Sequence, residues 1–287
     1  MSNQIETEQI AILAKRLEDL LRSFRRVVTG FSAGVDSSVV AVAANRALGK
    51  DALAVTAITE TITSDDIDLA RQIASSHALR HEEIAYDELD IDGYAENNPD
   101  RCYRCKGALY AHLQVIAARG KDGVICDGTQ ADDAGDYRPG RRAAGEQGVR
   151  SPLAELGFGK EQIRALADYY QLANVTKPSA PCLSSRVPYG TTITREILDQ
   201  IGRGESVLRN LGFCELRLRH HGEVARIEVA RDEFEKALEM AAMIEQEIRA
   251  VGYRYVALDL GGFRSGSLNE GLTTIAIPTV SRTDETS

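Results

Sequence analysis

Apolar residues recur at helical spacing through residues 6–24 (Ile10, Leu13, Leu17, Leu20, Leu21), which predicts an amphipathic helix. RRVVTGF then reads as a buried strand that ends in SAGVDSS. VVAVAANRAL reads as a helix stopped by Gly49. Residues 52–59 predict a second strand, and SDDIDLARQIASSHAL a helix with Ser64 as N-cap and acids in its first turn. HEEIAY (81–86) reads as a strand, 103–119 as a helix and DGVICDGT as a fourth strand. Strand alternating with helix implies an α/β fold, a doubly wound parallel sheet that collects ligands at the carboxyl ends of its strands.

The pattern changes after KEQIRALADYYQL, another predicted helix. ANVTKPSAPCLSSRVPYGTT has no period and holds three of the seven prolines, so it reads as a loop leading to a second domain. Beyond it come a helix (194–211), strands at 215–220 and 223–229, a helix (231–250) and a strand (253–259), a small α+β unit. The expected organisation is a first domain at 1–175, an interdomain loop at 176–192, a smaller domain at 193–275 and a tail at 276–287.

Composition narrows the class. The 287 residues suffice for two cores, and 43% hydrophobic with 27% charged residues is the balance of a globular protein. No apolar run is long enough to span a bilayer, and the N-terminus lacks a signal peptide's apolar stretch, so a cytoplasmic, membrane-free protein is expected. A net charge of -9 argues against a partner bound through nucleic-acid phosphates. Five cysteines, an odd count, argue against a disulfide framework and leave metal binding or catalysis.

Two loops carry candidate chemistry. In VVTGFSAGVDSS a strand passes through small residues directly into a helix, a geometry that offers backbone N–H groups and a helix dipole to an anion. Gly34 admits a phosphate, and Ser32, Ser37 and Ser38 offer hydroxyls. Asp36 either caps the helix or helps hold magnesium. A plain capped turn has the same outline, but the order S-x-G-x-D-S is specific, and the absent lysine excludes a Walker loop. The second loop, DGTQADDAGDYRPG, follows the fourth strand; Gly128 sits at its turn, Asp132 and Asp133 offer oxygens to magnesium, and Arg138 suits a carboxylate or phosphate. A solvated acidic loop is the simpler alternative, outweighed by its expected position beside the first.

Cys102 and Cys105 form C-x-x-C at the mouth of a helix, and Cys182 follows Pro181 in the long loop. A zinc half-site, a redox dithiol and three ligands of an iron–sulfur cluster all remain open from spacing alone. Cys126 lies within a strand and Cys214 at the start of one, so both read as structural. Arg186, Arg217, Arg219 and Arg226 bring cations toward the second domain that would suit an anionic small molecule, although each alone also suits a solvated strand face.

FSAGVDSS resembles the pyrophosphate loop of N-type ATP pyrophosphatases, whose usual form is SGGxDS. Ala33 replaces a glycine there, tolerable if its φ stays negative. With DGTQADDAGDYRPGRRAA, CLSSRVPYGTTIT, LGF before RLRHH, ARIE and GYRYVALDLGGFRSG, the resemblance extends over nearly the whole chain to one family. This is the LarE-type pyridinium-3,5-biscarboxylate mononucleotide sulfur transferases, which serve nickel-pincer nucleotide biosynthesis. The resemblance implies that ATP, with magnesium, adenylates a ring carboxylate and that sulfur then displaces AMP. It implies roles for Lys106, Ser185, Arg186, Glu205 and Arg217 at the substrate, and a homo-oligomer.

The family divides by sulfur source. One branch has a single cysteine, matching Cys182, that gives up its own sulfur, with an aromatic residue matching Cys102. The other has cysteines matching Cys102, Cys105 and Cys182, which hold a [4Fe-4S] cluster that delivers an extra sulfide. All three are present here, so the resemblance implies the second branch. Two alternatives stand beside it: a cluster-dependent tRNA thiolation enzyme, and a non-catalytic nucleotide-binding cluster sensor.

Overall fold

The computed structural model describes residues 7–119, 123–132, 139–178 and 181–264. The expected tail at 276–287 and two expected site residues, Asp133 and Arg138, lie outside them. Two compact units divide between Gly202 and Arg203. The division falls inside a helix, later than the boundary expected at 193, and the Cys182 loop belongs to the first unit.

The first unit is built on β1 (Val27–Gly30), β2 (Ala52–Ile58), β3 (His81–Ala85) and β4 (Val124–Cys126). All neighbours are parallel, in the order β3-β2-β1-β4. The chain steps outward from β1 to β3 and then returns to the other side of β1. The order therefore reverses between β1 and β4, the point at which doubly wound sheets open a ligand crevice.

Among the described residues, seven helices accompany this sheet: α1 (Thr7–Ser23), α2 (Val35–Leu48), α3 (Ser64–Ser76), α4 (Arg101–Ala118), α5 (Pro139–Glu146), α6 (Pro152–Glu155) and α7 (Lys160–Tyr169). Alternate strand residues enter two separate cores. Val27, Ala52, Ala54 and Cys126 pack with Leu17, Leu21, Ile73 and Leu166. Val28, Leu53, Val55 and Ile125 pack with Tyr110, Leu113 and Ile116. Because both faces are covered, β1, β2 and β4 read as mostly apolar runs without alternation, whereas β3 (HEEIA), at the sheet edge, has no buried residue.

Local differences have local causes. The N-cap of α3 is Thr63, not Ser64: its hydroxyl accepts from the Asp66 N–H. Gly49 ends α2 as expected, at φ 54, a left-handed value suited to glycine. Helix α5 was not expected, because PGRRAAGE is short and carries two glycines; it buries little more than Ala143 and Ala144. The helix expected over 231–250 is interrupted at Met240, leaving α9 (Phe234–Glu239) and α10 (Ala241–Ala250).

In the second unit α8 (Arg195–Asn210), which crosses the division, leads to β5 (Leu216–His221), β6 (Val224–Val229) and β7 (Tyr255–Leu258). Strand β6 lies between the other two, antiparallel to β5 and parallel to β7. Leu216 through His220 are all buried, so β5 has no solvated face. Arg219 donates twice to Glu228, at 3.1 and 3.0 Å, and Arg226 reaches the same carboxylate at 3.1 Å and Asp259 at 3.4 Å. Two of the four arginines expected to face an anionic ligand are thus committed to internal carboxylates.

Removing Glu228, which has no exposed surface, leaves Arg219 buried without its carboxylate. Glu228→Ala is expected to destabilise the protein by about 3–5 kcal/mol in denaturant unfolding. A loss below about 1 kcal/mol would show that water replaces the carboxylate.

Candidate active site

The site begins where β1 ends. The Phe31 N–H still bonds to the Val55 carbonyl at 2.8 Å, and the chain then turns. Ala33 adopts φ 53. The condition for easy tolerance, a negative φ, is therefore not met: this alanine takes the left-handed conformation that glycine adopts freely, at a cost of about 1–2 kcal/mol. Its buried surroundings supply the compensation. The Ala33 carbonyl accepts from Asn174 Nδ2 at 2.9 Å and from Lys177 Nζ at 3.1 Å. The same Asn174 nitrogen donates to Ser38 Oγ at 2.9 Å, and Lys177 pairs with Asp66 at 2.6 Å. Sequence reasoning missed both residues, whose only signal was their place in an aperiodic loop.

Gly34 is the N-cap of α2, at φ -72, and no side chain caps the helix. Asp36 therefore lies in the first turn and is not the cap. The Ser37 hydroxyl donates to the Gly34 carbonyl at 3.1 Å and accepts the Ser32 N–H at 3.2 Å; the Ser38 hydroxyl donates to the same carbonyl at 2.8 Å. The protein gives no reason for glycine at 34: its φ is ordinary and a Cβ would lie 3.4 Å from its nearest neighbour, Ser32 Oγ. The space it leaves lies at a helix N-terminus whose dipole favours an anion.

The two candidate loops meet at Gly128, where a Cβ would stand 2.7 Å from the Ser37 backbone nitrogen. Before it, Asp127 is anchored by the Tyr110 hydroxyl at 3.0 Å, the Thr129 N–H at 3.0 Å and the Ser151 hydroxyl at 2.7 Å. Asp132 accepts the Lys160 N–H at 2.9 Å and so sits on the N-terminus of α7.

A second cluster surrounds the cysteines. Cys102 and Cys105 occupy the first turns of α4, and Cys182 precedes a 3-10 turn, Leu183–Arg186. Asn97, left-handed at φ 56, joins the two segments. Its Nδ2 donates to the carbonyls of Val187, Pro188 and Thr191 at 3.2, 2.8 and 3.1 Å. Arg101, buried, donates to Asn97 Oδ1 and to the Ser184 carbonyl at 2.9 Å, and reaches Cys102 Sγ at 4.0 Å. Arg186, also buried, donates to the carbonyls of Pro181 and Cys182 and to Ser185 Oγ, so it shapes the loop around Cys182.

Glu88, unremarked in the sequence, is the buried hub of this cluster. It accepts the Cys105 thiol at 3.1 Å on one oxygen, and the hydroxyls of Thr61 and Tyr94 at 2.9 and 2.7 Å on the other. Tyr94 in turn meets Ser184 Oγ at 2.7 Å. Burial pushes the Cys105 thiol well up, helped by Glu88 and Cys182 and opposed by Lys106. Burial also raises Cys182; Arg101 and Arg186 oppose the shift, while Glu88 and Cys102 add to it. Cys182 adds to the shift at Cys105, and Cys102 to that at Cys182. Among the described residues no three Cys, His, Asp or Glu side chains are gathered to hold a metal ion, and Cys105 is turned to Glu88.

Comparison with known proteins gives the family. Residues 11–97, the segment containing the first loop, match the asparagine synthase family. Over 260 residues, 90% of this chain and 94% of the relative, the sequence is 38% identical to pyridinium-3,5-bisthiocarboxylic acid mononucleotide synthase of Lactiplantibacillus plantarum. The chain belongs to the LarE-type ATP-dependent sulfur transferases. An uncharacterised Synechocystis protein is also 38% identical, over 91% of this chain and all of its own length. One from Methanocaldococcus jannaschii is 27% identical over 88% and 97%. No helix among the described residues is long and apolar enough to cross a membrane.

The other residues expected at the substrate are dispersed. In this LarE-type transferase Lys106 is exposed on α4, its Nζ over the Tyr110 ring at 5.9 Å. Ser185 lies in the Cys182 turn. Glu205 and Arg217 lie in the second unit: Glu205 is fully buried, accepting from Arg209 at 2.9 Å and the Leu218 N–H at 3.2 Å, and Arg217 stands over the Phe263 ring at 4.8 Å. Cys126 is core, as expected, and Cys214 is exposed.

Gly34→Ala is expected to leave the folding stability within about 0.5 kcal/mol, because φ and space both accept alanine. Binding of inorganic pyrophosphate, followed by calorimetry, is expected to weaken about tenfold or more. Unchanged affinity would separate the glycine from any anion site.

Proposed function

We propose that this transferase adenylates a carboxylate of pyridinium-3,5-biscarboxylic acid mononucleotide and converts it to a thiocarboxylate. The sulfide comes from a [4Fe-4S] cluster held by Cys102, Cys105 and Cys182. The observation that carries this reading is the pairing of an uncapped helix N-terminus, carrying the pyrophosphate-type loop, with two tied segments of the same unit that bear Cys102 and Cys105 on one side and Cys182 on the other. The relative's printed product, a bisthiocarboxylic acid mononucleotide, supports the substrate.

ATP meets the loop of Ser32, Ala33, Gly34, Ser37 and Ser38, with Gly128 behind it. The substrate carboxylate oxygen attacks the α-phosphorus, and the bond to pyrophosphate breaks. The helix dipole and the hydroxyls hold the departing anion. Magnesium, with Asp36, Asp132 and Asp133 as its proposed oxygen ligands, supplies charge neutralisation. The adenylate makes AMP a good leaving group, and sulfur then displaces it from the carbonyl carbon. Lys106, Arg138, Ser185, Arg186, Glu205 and Arg217 are the residues proposed to line the substrate site.

The donor set suits the cluster: three soft thiolates, with one iron left free of protein. When bound, the cluster supplies an open iron able to carry a sulfide for transfer. The chain's own part is to hold the thiol-bearing segments: Asn97 and Arg101 tie the Cys182 loop to α4, and Cys105, which donates to Glu88, would leave that carboxylate to serve as a ligand. Arg101 and Lys106 supply positive charge beside the sulfurs. A homo-oligomer is part of the same proposal.

Anaerobic reconstitution with iron and sulfide is expected to load about four irons per chain. Alanine at Cys102, Cys105 or Cys182 is expected to remove most of that iron. Pyrophosphate release is expected to depend on the pyridinium substrate. Absence of iron uptake, with Cys182 converted to dehydroalanine after one turnover, would replace the cluster by a sacrificial cysteine. Release of pyrophosphate only with tRNA would favour the thiolation alternative.

A further inference from the structure

The Ala33 conformation raises a question that the reaction scheme leaves open: what keeps the anion loop in place before ATP arrives? A trans peptide sets its C=O and N–H in opposite directions. The peptide joining Ala33 to Gly34 has its oxygen fixed by Asn174 Nδ2 at 2.9 Å and Lys177 Nζ at 3.1 Å. Its N–H, carried by Gly34, must therefore point the other way, from the residue where the missing side chain leaves space at the uncapped end of α2.

We propose that Asn174 and Lys177 are positioning residues for pyrophosphate. They hold the 33–34 peptide turned so that the Gly34 N–H faces the anion before it binds. This rests on the reading of the loop as the pyrophosphate site, and it assigns a role to the aperiodic ANVTK segment that the cysteines and the second unit do not explain.

Both residues are built to hold. Asn174 is buried and joins two points of the loop, the Ala33 carbonyl and the Ser38 hydroxyl, which itself donates to the Gly34 carbonyl. Lys177 is anchored on its far side by Asp66, whose carboxylate also accepts the Thr63 hydroxyl at 2.8 Å in the first turn of α3. The clamp thus runs from the N-terminus of α3, through Lys177, to the anion loop. Alanine at 33 makes the clamp necessary, since a residue with a Cβ does not hold the left-handed conformation unaided.

The test compares binding of inorganic pyrophosphate and of AMP to the full-length protein by calorimetry, for wild type, Asn174→Ala and Lys177→Met. Each variant is expected to weaken pyrophosphate about tenfold or more and to leave AMP within about twofold. Adding Ala33→Gly to Asn174→Ala is expected to restore a large part of the pyrophosphate affinity, because glycine reaches the required φ without the clamp. Pyrophosphate affinity equal to wild type in both variants overturns the proposal, as does equal loss of pyrophosphate and AMP or absence of rescue by glycine. If wild type itself binds no pyrophosphate, the loop reading fails together with the proposal.

Discussion

The site depends on one steric constraint: the end of β4 passes the start of α2 at a distance that only glycine permits. At Gly128 a single added carbon would stand 2.7 Å from the Ser37 nitrogen. That approach follows from the parallel register of β1 with β4, which aligns Val27 with Val124 and Thr29 with Cys126 and so ends both strands at one level. The strand order reverses between these two strands, the point at which doubly wound sheets open a ligand crevice. Asp127, locked by Tyr110, Thr129 and Ser151, keeps the β4 end from drifting away from that contact.

Two left-handed residues without the freedom of glycine mark the two halves of the chemistry. Ala33 shapes the anion loop and Asn97 the cysteine cluster, at φ 53 and 56. In each case buried side-chain amides and cations fix the backbone: Asn174 and Lys177 hold the Ala33 carbonyl, while the Asn97 side chain itself gathers three carbonyls of the Cys182 segment. Strained conformations persist where surrounding bonds over-determine them, and such positions concentrate at functional sites. The cost is local, and the surrounding hydrogen bonds, made away from water, are the compensation.

The cysteine cluster also shows how burial and charge are balanced. Glu88 brings a carboxylate among three thiols, and Arg101 and Arg186 bring two buried cations to the same region. The Cys182 thiol stays raised because burial outweighs those cations, and the Cys105 thiol because burial outweighs Lys106. Arg101 and Arg186 also serve as hydrogen-bond donors to the backbone around Cys182, which places the charge and fixes the loop by the same bonds.

Much was determined by the sequence alone. Period and punctuation, apolar runs in β1, β2 and β4, amphipathic helices and Gly49 after α2, specified a doubly wound sheet, because burial on both faces leaves a local record in the strands that have it. SAGVDSS, DGTQ, C-x-x-C and CLSSR marked the candidate segments, three of them loops and C-x-x-C the start of α4. Other features had no local record. The φ of Ala33 is set by Asn174 and Lys177, distant in the chain, and Glu88 became a hub only when Thr61, Tyr94 and Cys105 converged on it. The arginines of β5 looked ready for a ligand until packing paired Arg219 with Glu228 on the neighbouring strand. Periodicity reports which face of an element is buried; which partner meets a buried polar group is decided only when the chain closes on itself.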